Sequence, residues 1–348
     1  MLPDNAGESI GLIRCAIDHG VNFLDLGHPY DLGRHERAAV AVGAALADGY
    51  RNKVKVALTL PVHLIHSKAD LEAEFSRQLS LMGTERVDFC LFGSLNRENW
   101  PVLRALGALE WMETALKEGR AGYAGFAFHD HYQPLKSIVE SWDRWTLCRF
   151  QFSYMDVSHD PGITGIRYAA GKGLAVAVTE PMKGSRLEHL PGPAADMLAG
   201  VENRSPAEWA LRFVWNFGEI ATVVLDANSV AGLKKAVELA GRCEPDSLTV
   251  QEEVLIGKVR DALMALREIP CPSCRACMPC PEEIDVPRIF ELYNDAFIYG
   301  DVESARLIYQ DEGHQPGLCT ECGYCEKNCA KRLPVLDLLK KAVSLLKR

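Results

Sequence analysis

The residues best able to do chemistry are eight cysteines near the C-terminus, in two runs of similar spacing. The first reads Cys271-Pro-Ser-Cys274-Arg-Ala-Cys277-Met-Pro-Cys280-Pro281, the second Cys319-Thr-Glu-Cys322-Gly-Tyr-Cys325-Glu-Lys-Asn-Cys329. Three cysteines at successive intervals of three let one segment wrap a face of an iron–sulfur cubane and ligate three irons. A fourth, displaced along the chain, reaches the neighbouring cluster when two such runs are paired. The pattern assigns Cys271, Cys274, Cys277 and Cys329 to one 4Fe–4S cluster, and Cys319, Cys322, Cys325 and Cys280 to a second. Structural zinc, the other chemistry of clustered cysteines, favours tetrahedral sites made from two separated pairs, which two evenly spaced quartets match poorly. The first run has one residue fewer before its fourth cysteine than the usual bacterial run, and Ala330 stands where a proline is usual. The other cysteines, Cys15, Cys90, Cys148 and Cys243, are isolated. Cys90 and Cys148 fall inside apolar runs, where a free cysteine acts as a small buried hydrophobe.

These ligands need a reducing environment and a scaffold. Twelve cysteines, with no basic or apolar leader in Met1–Ile10, point to a reducing, cytoplasmic setting. A formal net charge of −9 argues against a general nucleic-acid binder. The longest apolar stretches, Ala38–Ala47 and Val56–Ile65, are too short for a membrane span. Residues 6–242 alternate short apolar runs with longer segments of helical spacing. The runs are Val21–Leu26, Val54–Leu60, Val87–Phe92, Tyr123–Phe128, Leu147–Phe152, Leu174–Thr179 and Thr222–Leu225. Gly20 and Gly49 close helical runs, and Ser229 stands at an N-cap position before Val230–Ala240. Repeated β–α units imply a parallel sheet with right-handed crossovers. No G-x-G-x-x-G turn follows any of these strands, which weakens a doubly wound dinucleotide fold. A TIM barrel fits better, although it needs eight units and only seven strands can be counted. A helical segment, Val250–Leu266, leads into the cysteine region, so the boundary is expected at 266/267, with a barrel over 1–266 and a cluster domain over 267–348.

The segment Gly20-Val-Asn-Phe-Leu-Asp25-Leu-Gly-His-Pro-Tyr30 resembles the aldo/keto reductase signature. Further matches follow in order: Arg86-Val-Asp88-Phe-Cys-Leu-Phe, Gly125-Phe-Ala-Phe-His129-Asp130, Phe150-Gln151-Phe152 and Thr179-Glu180-Pro181-Met-Lys-Gly184. The cysteine region, continuing to Ile289-Phe290-Glu-Leu-Tyr293-Asn294, is similar to the subfamily with a C-terminal two-cluster ferredoxin-like domain. The resemblance covers nearly the whole chain. It implies an α/β fold of the (β/α)8 TIM-barrel type, here lacking its first strand, with a small α-helical iron–sulfur domain. It also implies NADP(H)-dependent carbonyl reduction as the ancestral chemistry. The family's first strand precedes the helix that here starts near Gly7, so the sequence predicts an upstream start or another segment or subunit covering the open edge.

The departures bear on activity. Of the family's Asp, Tyr, Lys and His tetrad, Asp25 and Tyr30 match, while Leu60 and Gly93 stand at the lysine and histidine positions. The barrel-lining Gln and Asn positions fall at Gln151 and Ser153, a serine position at Ala127, and the glycine beside the cofactor phosphate at Asp226. Without a neighbouring ammonium, Tyr30 lacks what would bring its pKa of about 10 toward neutrality, and Asp25 loses its usual cationic partner. Arg149 shares a strand face with Gln151 and needs an anion, either Asp25 or a ligand carboxylate or phosphate. His28, His129 and His131 lie at or beyond strand ends, where barrel sites form. The expected function is an iron–sulfur oxidoreductase passing electrons between two 4Fe–4S clusters and a small-molecule substrate or cofactor at the barrel mouth, with Tyr30 and Asp25 as catalytic residues and Gln151 and Arg149 binding cofactor. The alternative is an electron-transfer or structural subunit with an inactive barrel. Either way a redox partner protein or ferredoxin is expected.

Overall fold

The computed structural model describes residues 5–27, 32–158, 161–201, 204–227, 229–314 and 316–347. It divides into two compact units, Met1–Gly184 with Ala210–Thr249, and Ser185–Trp209 with Val250–Arg348.

The first unit is built on one parallel sheet of β1 (Phe23–Asp25), β2 (Lys55–Leu60), β3 (Val87–Leu95), β4 (Ala121–Phe128), β5 (Trp145–Gln151), β6 (Ala175–Thr179) and β7 (Ile220–Val223). Their order in the sheet is their order in the sequence. All seven apolar runs contain strand, the last displaced two residues toward the N-terminus. Among the described residues the sheet is a curled half-barrel, with β1 and β7 outermost, and not a closed ring. The helices start and stop on local signals. Ser67 and Asp70 form a capping box, Ser229 accepts from the Gly232 N–H as expected, and Gly20 and Gly49 take positive φ after helical runs.

Strand alternation gives the sheet two apolar faces. Val56, Leu58, Leu60, Phe92, Phe126, Phe150 and Val178 join the helices in the main core, where Phe75 packs edge-on against Trp111 at 5.4 Å. Ala57, Leu91, Leu147 and Ala177 fill the concave face, with Phe23 and Phe89 beside them. Each fully buried Val, Leu or Phe among them contributes about 1.5–3 kcal/mol on burial. Small residues set how tightly the layers close. A Cβ at Gly43 would lie 2.3 Å from the Met82 carbonyl oxygen, and one at Gly125 only 2.7 Å from that of Leu147.

The second unit has its own core. Ile289, Phe290 and Tyr293 of the helix Val286–Ile298 pack with Val335, Leu339 and Leu346 of the helix Val335–Leu346. The unit is larger than the cluster domain expected at 267–348. It takes in the helix Val250–Met264, which packs on Gly192–Leu198, and Arg204 pairs with Glu252. These ties are made after folding by residues distant in sequence, so a compositional boundary misses them. Among the described residues no helix is long and apolar enough to cross a membrane.

Candidate functional site

The concave face carries one buried ion pair. Arg149 Nη1 donates to Asp25 Oδ1 at 2.6 Å, and the two side chains are 7% and 1% exposed. Asp25 lies on β1 and Arg149 on β5, four strand intervals away. In a flat sheet that is about 19 Å, further than the side chains span, so the pair itself requires the curl. Asp25 Oδ1 also accepts from the Gly27 N–H at 2.6 Å, closing the turn after β1. Arg149 therefore supplies the cation that Asp25 was expected to lack. The Asp25 Oδ2 atom, and Thr59 Oγ1 on β2, are buried with no hydrogen-bond partner among the described residues.

The register corrects the placing of Leu60. Asp25 pairs with Ala57, so Ala57 and Thr59 share its face, while Leu60, paired with Phe92, turns to the helices. The position that faces the ion pair is Thr59, which brings no ammonium. Gly93 lies within a register shift of β3 between Phe92 and Leu95, where Ser94 takes φ of 51°. Ala127 is buried and paired with Arg149. Gln151 ends β5, exposed and in register with Thr179. Tyr30 and His28 lie outside the described residues.

At the C-terminal ends of the strands the structure gives partners to groups that the sequence reading named without a role, and adds Asp156 and Arg97 to them. Buried Ser153 donates to Asp156 Oδ2 at 2.6 Å, and Lys183 Nζ lies 2.8 Å from Asp156 Oδ1. Arg97 holds Asp130 through Nε and Nη2. Burial opposes the Asp130 carboxylate, yet Arg97 and the backbone N–H groups of Arg97 and His131 outweigh it and keep its pKa below the ordinary value. His129 is exposed, and His131 stands at the N-cap position of the helix Tyr132–Val139 without a capping bond from its side chain. An acid or lysine just past a strand end was the available signal for these groups. Burial pushes the thiols of Cys90 and Cys148 well up, as suits inert core residues.

In the second unit none of the eight clustered cysteines is joined in a disulfide. Cys271 lies close enough to Cys274 and Cys329 for their charges to interact, and Cys277 to Cys271, Cys274 and Cys325. A small pocket open to solvent is lined by Cys277 and Cys280 of the first run together with Cys319, Cys322 and Cys325 of the second. Both groupings cross between the two sequence runs. The second cysteine of each run is flanked on both sides by left-handed residues, Ser273 and Arg275 around Cys274, Glu321 and Gly323 around Cys322. Such alternation turns successive N–H groups to one side, the nest geometry of many anion and iron–sulfur sites. Cys271, Cys280, Cys319, Cys325 and Cys329 pack against the unit's apolar core, and the Leu333 N–H donates to Cys329 Sγ at 3.3 Å. Among the described residues no three His, Cys, Asp or Glu side chains converge as a single ion would need.

An aldo-keto reductase of Bacillus halodurans in its holo form superimposes with a TM-score of 0.59 at 19% identity, over 74% of this chain and 88% of that one. One from Klebsiella pneumoniae in complex with NADPH gives 0.59 at 17% identity, over 72% and 84%. At such identities the likeness speaks for the fold alone. A short stretch of 72 residues, 20% of this chain, is 33% identical to the acetyl-CoA decarbonylase/synthase complex subunit alpha 1 of Methanosarcina acetivorans. The chain spans only 8% of that relative's length. The sequence profile of the aldo/keto reductase family matches residues 3–241. That is well over half of the chain, which belongs to the aldo/keto reductase family.

Proposed function

We propose that this protein is an iron–sulfur oxidoreductase whose second unit holds two 4Fe–4S clusters and whose half-barrel keeps a modified reductase site. The observation that carries this reading is that cysteines of the two runs gather, Cys329 beside Cys271, and Cys277 and Cys280 in the pocket of Cys319, Cys322 and Cys325; the sequence spacing divides them into the two crossed quartets. A cubane takes one thiolate per iron, so its ligands ring a volume and do not meet at a point. The left-handed residues around Cys274 and Cys322 support the same fit, because non-glycine residues adopt that backbone only where the surroundings over-determine it. When bound, such clusters supply one-electron transfer. The chain provides eight thiolates, backbone N–H groups and an apolar wall.

A nicotinamide cofactor fits the first unit less well. The Glu180 carboxylate already accepts the Gly184 N–H at 2.6 Å in the loop after β6, and Asp226 follows β7. Both place negative charge near the strand ends where barrels of this type bind phosphate. The second reading, an electron-transfer or structural subunit with a silent barrel, draws on the neutralised Asp25–Arg149 pair and on Leu60 facing the helices. In both readings a redox partner protein exchanges electrons with the clusters.

The ligand assignment is tested by two serine variants. Cys329→Ser is expected to damage the cluster held with Cys271, Cys274 and Cys277, and Cys280→Ser the other. Each should leave about four of eight irons and a different residual electron paramagnetic resonance signal. Identical residual signals from the two variants would contradict the crossing.

A further inference from the structure

The clamp that Asn294 places on the approach to the first cysteine run is unusually direct. Asn294, on the helix Val286–Ile298, is 4% exposed in the unit's apolar core, where an unpaired amide is costly. Its Oδ1 accepts from the Ile269 N–H at 2.9 Å and its Nδ2 donates to the Ile269 carbonyl at 2.8 Å. The same carbonyl accepts from the Cys271 N–H at 2.8 Å. One oxygen is thus shared by the side chain that fixes it and by the backbone of the first cysteine, in an i to i+2 turn. Neighbouring groups hold the preceding residue, with Tyr293 Oη donating to Glu268 at 3.2 Å and Lys341 Nζ at 2.6 Å.

We infer that Asn294 is a positioning residue for the first cluster, setting where Cys271 presents its sulfur. Its consequence for metal rests on the iron–sulfur reading; the clamp itself does not. Side chains that replace both bonds cannot do the same work. Leucine matches the amide in size but removes the donor and acceptor, leaving the Ile269 N–H buried and unpaired. Aspartate keeps the acceptor and loses the donor.

The test uses the full chain, purified anaerobically, with Asn294→Leu and Asn294→Asp beside the unaltered protein. Asn294→Leu is expected to hold about four irons per chain, with the residual resonance signal of Cys329→Ser and unchanged far-ultraviolet dichroism. Asn294→Asp should lose the same cluster in smaller measure. In metal-free, reduced protein, iodoacetamide labelling of Cys271 in Asn294→Leu should rise on the order of tenfold while that of Cys319 stays constant. Unchanged iron and unchanged labelling in both variants would overturn the inference. So would equal loss of both clusters with a collapsed helical signal, which marks an ordinary fold residue. If the unaltered protein holds no iron or sulfide, the cluster reading fails while the labelling ratio still decides the clamp.

Discussion

Arg149→Met is expected to cost this protein about 3–5 kcal/mol of stability. Asp25 would be left with one buried, partnerless oxygen and a second that keeps only the Gly27 N–H. Removing one member of a buried pair leaves a desolvated charge, whereas removing both often costs little or is favourable. The double variant Asp25→Leu with Arg149→Met should therefore recover most of the loss. Denaturant unfolding of the two single variants and the double gives the coupling. A double variant that loses the sum of the two single effects would show that the two residues are not coupled, against the ion-pair account. The same pair alters the site electrically, because the charge of Asp25 is balanced by an arginine from β5.

The second large effect concerns carbonyl reduction. Hydride addition builds charge on the carbonyl oxygen, which needs a proton donor or a preorganised cation there. Neither Thr59 nor Leu60 offers an ammonium, the Arg149 guanidinium is already held by Asp25, and losing a positioned acid–base group generally costs ~10²–10⁴ in rate. With NADPH and simple aldehydes, turnover is expected well below the ordinary ~1–10³ per second. Tyr30→Phe should change that background little. The register also decides which repair is worth making. Leu60→Lys would bury an ammonium among the helices and should destabilise without rescue. Thr59→Lys faces Asp25 and is the variant expected to raise the rate. Ordinary turnover that is lost on Tyr30→Phe would show that another group, His129 the first to test, does the work.

Local patterns were legible in the sequence and long-range ones were not. Seven apolar runs gave seven strands, since each run satisfies the sheet by itself. The cysteine runs stand out in the sequence because their spacing is set within a few residues. The Asp25–Arg149 contact joins residues 124 positions apart, and nothing local marks Arg149 as the partner until the sheet curls. That Leu60 turns to the helices and Thr59 to the ion pair is set by strand register, which the sequence does not show. Residues 185–209 join the second unit through Arg204 and Glu252, a tie without compositional trace. Asn294 stood within the matched motif, but its function needed the structure, because hydrogen bonds to a backbone 25 residues away leave no pattern in sequence.

The central claim is that the second unit holds two four-iron clusters through crossed cysteine quartets. It is tested most directly by iron, zinc and acid-labile sulfide analysis of the anaerobically purified full chain. About eight irons and eight sulfides per chain are predicted, the content of two cubanes. Stoichiometric zinc without sulfide would contradict the account.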